Sequence, residues 1–97
     1  MNGRVRKTFR AQRDIERIFN WISLKSEPAA DKWLGELDEK FKIILNTPGI
    51  GTNRSDLGRK VRSYAFGDYL IFFKPTRAGV TIVRVIHGAR DYRGIFK

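Results

Sequence analysis

Polar and apolar positions change period twice along this chain, and the changes mark its elements. Val5 to Phe9 is short and suits an edge strand. Ile15, Ile18, Phe19 and Ile22 then follow the i, i+3, i+4, i+7 spacing of one helical face, which predicts a helix from about Ala11 to Leu24. Ser26-Glu27-Pro28 is a break and a restart, with a proline suited to a first helical turn. Ala30, Trp33, Leu34, Leu37, Phe41, Ile44 and Leu45 carry the strongest helical pattern in the chain, and Asn46-Thr47-Pro48-Gly49 ends it. The short connection implies an antiparallel helical hairpin.

Ile50 to Arg59 reads as a loop, after which the period becomes two. Lys60–Phe66 and Tyr69–Lys74 are strands joined by Gly67-Asp68, a pair suited to a tight hairpin. Pro75 to Gly79 is a second turn, and Val80–His87 is a third strand rich in β-branched residues. Tyr69 to Phe73 is apolar on both faces, which predicts a central strand between more charged neighbours. The expected architecture is α+β, with order β-α-α-β-β-β. A helical hairpin covers one face of a mainly antiparallel sheet, and a short basic, aromatic C-terminal tail follows. With 97 residues and neither repeat nor linker, residues 1–97 are expected to form one domain.

Charge changes this picture more than composition does. The formal net charge is +10, and it is segregated. Residues 1–17 carry six basic and two acidic side chains, residues 18–42 four and five, and residues 43–97 ten and three. Positive ends around a balanced middle favour an anionic partner, either nucleic acid or an acidic protein. The absence of cysteine excludes disulfides and thiolate metal sites and agrees with a reducing compartment. No apolar run approaches the roughly 20 residues of a membrane span. The basic N-terminus lacks the apolar stretch of a signal peptide. No phosphate-binding glycine motif, metal spacing or nucleophile elbow is present, so no cofactor or metal is expected.

Several fragments resemble the ParE/RelE toxin superfamily, in order and at matching spacing. Asp14 to Ile22 is similar to the first helix of ParE-type toxins, and Ala29-Ala30-Asp31-Lys32 to the start of their second. Pro48 to Leu57 resembles their proline-glycine loop, and Arg62-Ser63-Tyr64 with Tyr69 to Phe73 their central hairpin. The most specific fragment is Ile82-Val83-Arg84-Val85-Ile86-His87-Gly88-Ala89-Arg90-Asp91, which resembles their last strand and its exit. The resemblance implies the toxin of a type II toxin–antitoxin system, in the cytoplasm, with an acidic, DNA-binding antitoxin as partner. Its ParE branch implies inhibition of DNA gyrase; its RelE branch implies cleavage of messenger RNA on the ribosome.

Ribonuclease chemistry needs a base, an acid and cations at the phosphate. His87, the only histidine, is the candidate for proton transfer. Arg54, Arg59, Lys60, Arg62, Arg84 and Arg90 are candidates for holding phosphate, and Tyr92 or Tyr64 for donating a proton or stacking. No glutamate follows Glu39, so the strands offer no glutamate base. A gyrase poison needs no catalysis; it has only to bind one state of its target preferentially. For that role the tail residues Arg90, Tyr92, Arg93, Phe96 and Lys97 are the expected contacts. Trp33 lies on the apolar face and is expected in the core. Trp21 lies about 100° round from the apolar stripe and is expected to be partly exposed, a seat for a partner helix. The antitoxin is expected on Trp21, Arg54 and Arg62. A further reading is a harmless antitoxin-binding co-repressor.

Overall fold

The computed structural model describes residues 3–90 and 94. Among them are β1 (Arg4–Lys7), α1 (Phe9–Ser23), α2 (Glu27–Asn46), β2 (Thr52–Asn53), β3 (Arg62–Phe66), β4 (Tyr69–Thr76) and β5 (Gly79–His87). The strands form one sheet in the order β1-β5-β4-β3-β2. β1 runs parallel to β5, and the other neighbours are antiparallel. This is the expected α+β architecture, with two additions. The loop after α2 contributes the two-residue strand β2, paired with Ser63 and Arg62, and β1 and β5 make the sheet mixed.

The element boundaries follow from capping and backbone geometry. Helix α1 starts at Phe9, earlier than the apolar spacing implies, because the Thr8 hydroxyl accepts a hydrogen bond from Ala11 N at 3.0 Å. Phe9 is therefore helical and not the end of a strand. Ser26 caps α2 in the same way through Ala29 N, with Pro28 in the first turn. Strand β3 begins at Arg62, because Lys60 sits in the left-handed region at φ 64°. Strand β4 continues through Pro75 to Thr76. β3 ends opposite Phe73, so Pro75 has a strand neighbour on one side only, where its missing N–H is tolerated. Gly79, at φ 144°, begins β5 where a Cβ would collide with the Arg4 carbonyl oxygen of the parallel neighbour.

The main core lies between the helical hairpin and the sheet. Ile15, Trp33, Leu37, Phe41 and Ile44 meet Ile71, Phe73, Val80, Ile82 and Val85 there. A smaller cluster of Val61, Phe72 and Ile86 occupies the opposite face, joined by Leu57, Leu70 and Val83. Ile71, Phe72 and Phe73 are all fully buried, so β4 is central and covered on both faces, as its unbroken apolar run implies. No helix among the described residues is long and apolar enough to cross a membrane.

β5 outruns β1, and that stretch of its edge would otherwise lack partners. β1 ends opposite Ile82. Thr8 N then donates to Ile82 O at 3.0 Å, and the Thr8 hydroxyl donates to Val83 O at 2.9 Å. Six residues further on, Asp14 Oδ2 accepts from Val85 N at 3.0 Å. The same carboxylate takes a two-pronged contact from Arg84: Nε to Oδ2 at 2.7 Å and Nη2 to Oδ1 at 2.9 Å. A bulge between Phe72 and Phe73 leaves Val83 without a direct partner across the ladder, just before Arg84. The side chains of Arg84 and Asp14 are only 12% and 7% exposed. Their hydrogen bonds hold the Arg84 guanidinium above its ordinary, already high pKa.

Removing one member of such a buried pair strands the other. Asp14→Ala should therefore lower stability by about 3 kcal/mol, seen in thermal unfolding as a Tm roughly 15 °C lower. The double variant Asp14→Leu, Arg84→Met should be more stable than Asp14→Ala, because it leaves no unpaired charge.

Candidate functional site: a groove between the first helix and the end of the last strand

A groove of about 300 Å³ opens where α1 crosses the C-terminal end of β5. Arg17, Ile18 and Trp21 of α1 form one wall; Tyr69 of β4 and Val85, Ile86 and His87 of β5 form the other. Asp14 closes one end and Arg90, in the turn after β5, stands on the rim. Trp21 is 57% exposed, whereas Trp33 is buried. The groove thus has apolar and aromatic walls, and among the described residues Arg17 and Arg90, both positive, have no ion-pair partner. The charge of Asp14 is matched by Arg84.

His87 ends a chain of ring contacts that leads out of the core. Phe66 stacks on Trp33 with centroids 6.0 Å apart, Trp33 meets Tyr69 edge-on at 5.7 Å, and Tyr69 meets His87 edge-on at 5.4 Å. The imidazole itself is exposed. Its Nδ1 accepts from Ala89 N at 3.1 Å, so the neutral ring carries its proton on Nε2. In that state the nitrogen left for an incoming group is a donor, and the only basic lone pair is already engaged by backbone. Burial, followed by the charge of Asp68, pushes the Tyr69 phenol above its ordinary pKa. Tyr69 is therefore a neutral hydroxyl throughout the physiological range.

The other residues singled out in the sequence lie elsewhere or are committed. Arg84 is locked to Asp14 behind the groove wall. Arg62, on β3, donates through Nε to Ile50 O at 3.1 Å and through Nη2 to Gly49 O at 2.7 Å and Gly51 O at 3.1 Å. Its guanidinium thus pins the loop after α2. Arg54 pairs with Asp56 at 2.9 Å on that same stretch. Neither Arg54 nor Arg62 lines the groove that holds Trp21. Tyr64, half-buried, packs against the main core. Tyr92, Arg93, Phe96 and Lys97 lie outside the described residues; Arg90 is exposed.

Comparison with known proteins agrees with this geometry. The family model described as the ParE toxin of the type II toxin–antitoxin system parDE matches residues 5–92. The chain belongs to the ParE toxin family. No curated protein sequence matches it. A solved structure described as the chromosomal ParDE TA system from P. aeruginosa shares the fold. Its TM-score is 0.70 at 19% identity, and the match covers 86% of this chain and 92% of that one. The ParE match runs from within β1 through the helical hairpin and the other four strands, so the groove lies wholly within it.

Asp14 is the residue that sequence reasoning missed. It falls on the apolar stripe, three residues after Ala11 and four before Ile18. A carboxylate there must be buried and therefore partnered, and that signal was available in the sequence. Arg17 and Tyr69 joined the groove only through the crossing of α1 over β5, which periodicity does not report.

Because Arg62 serves three carbonyls with a planar fork, Arg62→Ala should cost about 2 kcal/mol. It should also raise the rate of proteolytic cleavage between residues 47 and 59. Arg62→Lys should recover little of that loss, since an ammonium cannot reproduce the fork.

Proposed function

We propose that this ParE-family toxin inhibits growth by holding DNA gyrase in its DNA-cleavage complex, doing no covalent chemistry of its own. The observation that carries this reading is the commitment of its would-be catalytic groups. Arg84 and Arg62 are both tied down by internal hydrogen bonds. The basic nitrogen of His87 faces its own backbone. Ribosome-dependent RNA cleavage would need a free base beside a phosphate-binding cation; Arg17 and Arg90 share the groove with His87, but the basic nitrogen of His87 is already engaged. Preferential binding to one state of a target asks for none of this.

In this reading Arg90 and the tail residues Tyr92, Arg93, Phe96 and Lys97 contact the target. The cognate antitoxin is acidic and binds DNA through another part of its chain. It seats an apolar segment beside Trp21 and meets Arg17 and Arg90 with carboxylates. Such a segment would occlude the base of the tail, which starts on the groove rim, so neutralisation follows from position alone. Action on gyrase places the protein in the cytoplasm.

The test is a supercoiling and cleavage assay of purified gyrase on closed circular plasmid, with the toxin titrated in. Supercoiling should fall while linear DNA accumulates, and His87→Ala should keep its potency within about threefold. Gyrase unaffected by a folded toxin would remove the target. Loss of toxicity in a folded His87→Ala variant, with cleavage of translated RNA by the parent, would turn the reading to the ribonuclease.

A further inference from the structure

The outer face of α1 is chemically unlike any other surface described. Phe9, Arg13, Arg17 and Trp21 follow one another in steps of four, and Lys25 continues the count just past the helix. Residues four apart form a ridge inclined to the helix axis, so these side chains make one continuous line. Over twelve residues it runs ~18 Å along the axis. All five are exposed, and the two aromatics are large apolar groups in water, Phe9 at 75% and Trp21 at 57%. The cations sit against the rings: Arg13 lies 5.7 Å from the Phe9 centroid and Lys25 5.1 Å from that of Trp21. Among the described residues, Arg13 and Arg17 make no ion pair, and Arg10 beside them makes none. One open groove flanks the ridge along Gln12, Glu16 and Asn20, and another along Arg10 and the Asp14–Arg84 pair.

We propose that this ridge is a binding track for single-stranded DNA, a surface distinct from the tail. Guanidinium groups alternating with exposed ring faces supply the two contacts that a single strand offers: phosphates along the backbone and unpaired bases. A duplex offers only the phosphates, because its bases are stacked inside. An acidic peptide would pair with the arginines and leave Phe9, beyond the apolar groove, without a matching partner. The ridge itself carries neither hydroxyl nor amide placed to read a 2′-OH, so RNA gains no added contact over DNA there. Glu16 is the one carboxylate alongside. It is outnumbered by Arg10, Arg13 and Arg17, so the local charge stays positive. The length of the ridge fits a site at the short end of the ~4–16 nucleotide range of such tracks.

The probe is a fluorescein-labelled twelve-residue oligothymidylate, titrated with the purified toxin in the absence of gyrase, so the result does not depend on the gyrase reading. Trp21 fluorescence should be quenched on binding while buried Trp33 supplies the constant background. The logarithm of affinity should fall with the logarithm of salt concentration at a slope of about −2, for three phosphates neutralised by Arg13, Arg17 and Lys25. Arg13→Gln with Arg17→Gln should weaken binding at least about tenfold and flatten that slope by about 1.4. Trp21→Leu should remove the quenching and weaken binding about tenfold or more. Lys32→Gln with Arg77→Gln removes the same charge from exposed positions off the ridge and should cost no more than about threefold. All variants alter exposed side chains, and circular dichroism verifies their fold. Equal losses in the ridge and control pairs would overturn the track and leave only a general attraction of a +10 protein for polyanions. Tighter binding of a twelve-base-pair duplex or of oligouridylate would overturn the choice of strand. No binding of the oligonucleotide at low salt, with a glutamate-rich peptide bound in a manner sensitive to Phe9→Ala and Arg13→Gln, would assign the ridge to a protein partner instead.

Discussion

The carboxylate of Asp14 joins helix to sheet at the one place where the sheet cannot do so itself. A five-strand sheet whose edge strand β1 stops about halfway along β5 leaves backbone donors and acceptors facing an apolar crossing. Unpaired polar groups there would carry the cost of lost hydration without a bond in return. Thr8 and Asp14 meet that need within two turns of chain, one by capping α1 and bonding β5 at once, the other by taking Val85 N–H. Arg84 then neutralises the charge that Asp14 brings into the interior. The position of α1 over β5 depends on these bonds, and with it the groove, the exposure of Trp21 and the direction of the ridge.

Much of this was legible in the sequence, because the apolar pattern reports burial directly. The Ala30–Leu45 periodicity marked α2 and its buried face, and the unbroken Tyr69–Phe73 run marked the central strand. Ser26 and Pro28 marked a helix start for a local chemical reason. The parts that did not follow from pattern were set by contacts distant in sequence. Phe9 became helical because Thr8 is a cap, and Thr8 is held by Ile82 and Val83. β2 exists because Arg62 draws the carbonyls of residues 49–51 toward β3. Arginines are equally charged on paper; only the fold separates Arg84 and Arg62, which are internal ties, from Arg13 and Arg17, which are not.

That separation changes what a net charge of +10 means. Arg84 and Arg62 do structural work, and catalysis built on them would have to break those internal ties first. Among the described residues near the groove, cations without an ion pair lie along α1 and at Arg90, with Trp21 between them. Trp21 borders both the groove and the ridge. A partner that fills the groove with apolar side chains and covers Arg17 therefore blocks the ridge and the root of the tail together. One amphipathic segment is enough to cover Arg17, Trp21 and Arg90 together, whichever surface meets the target. Neutralising such a toxin then requires no change in its shape, only continuous cover over a short stretch of α1 and the end of β5.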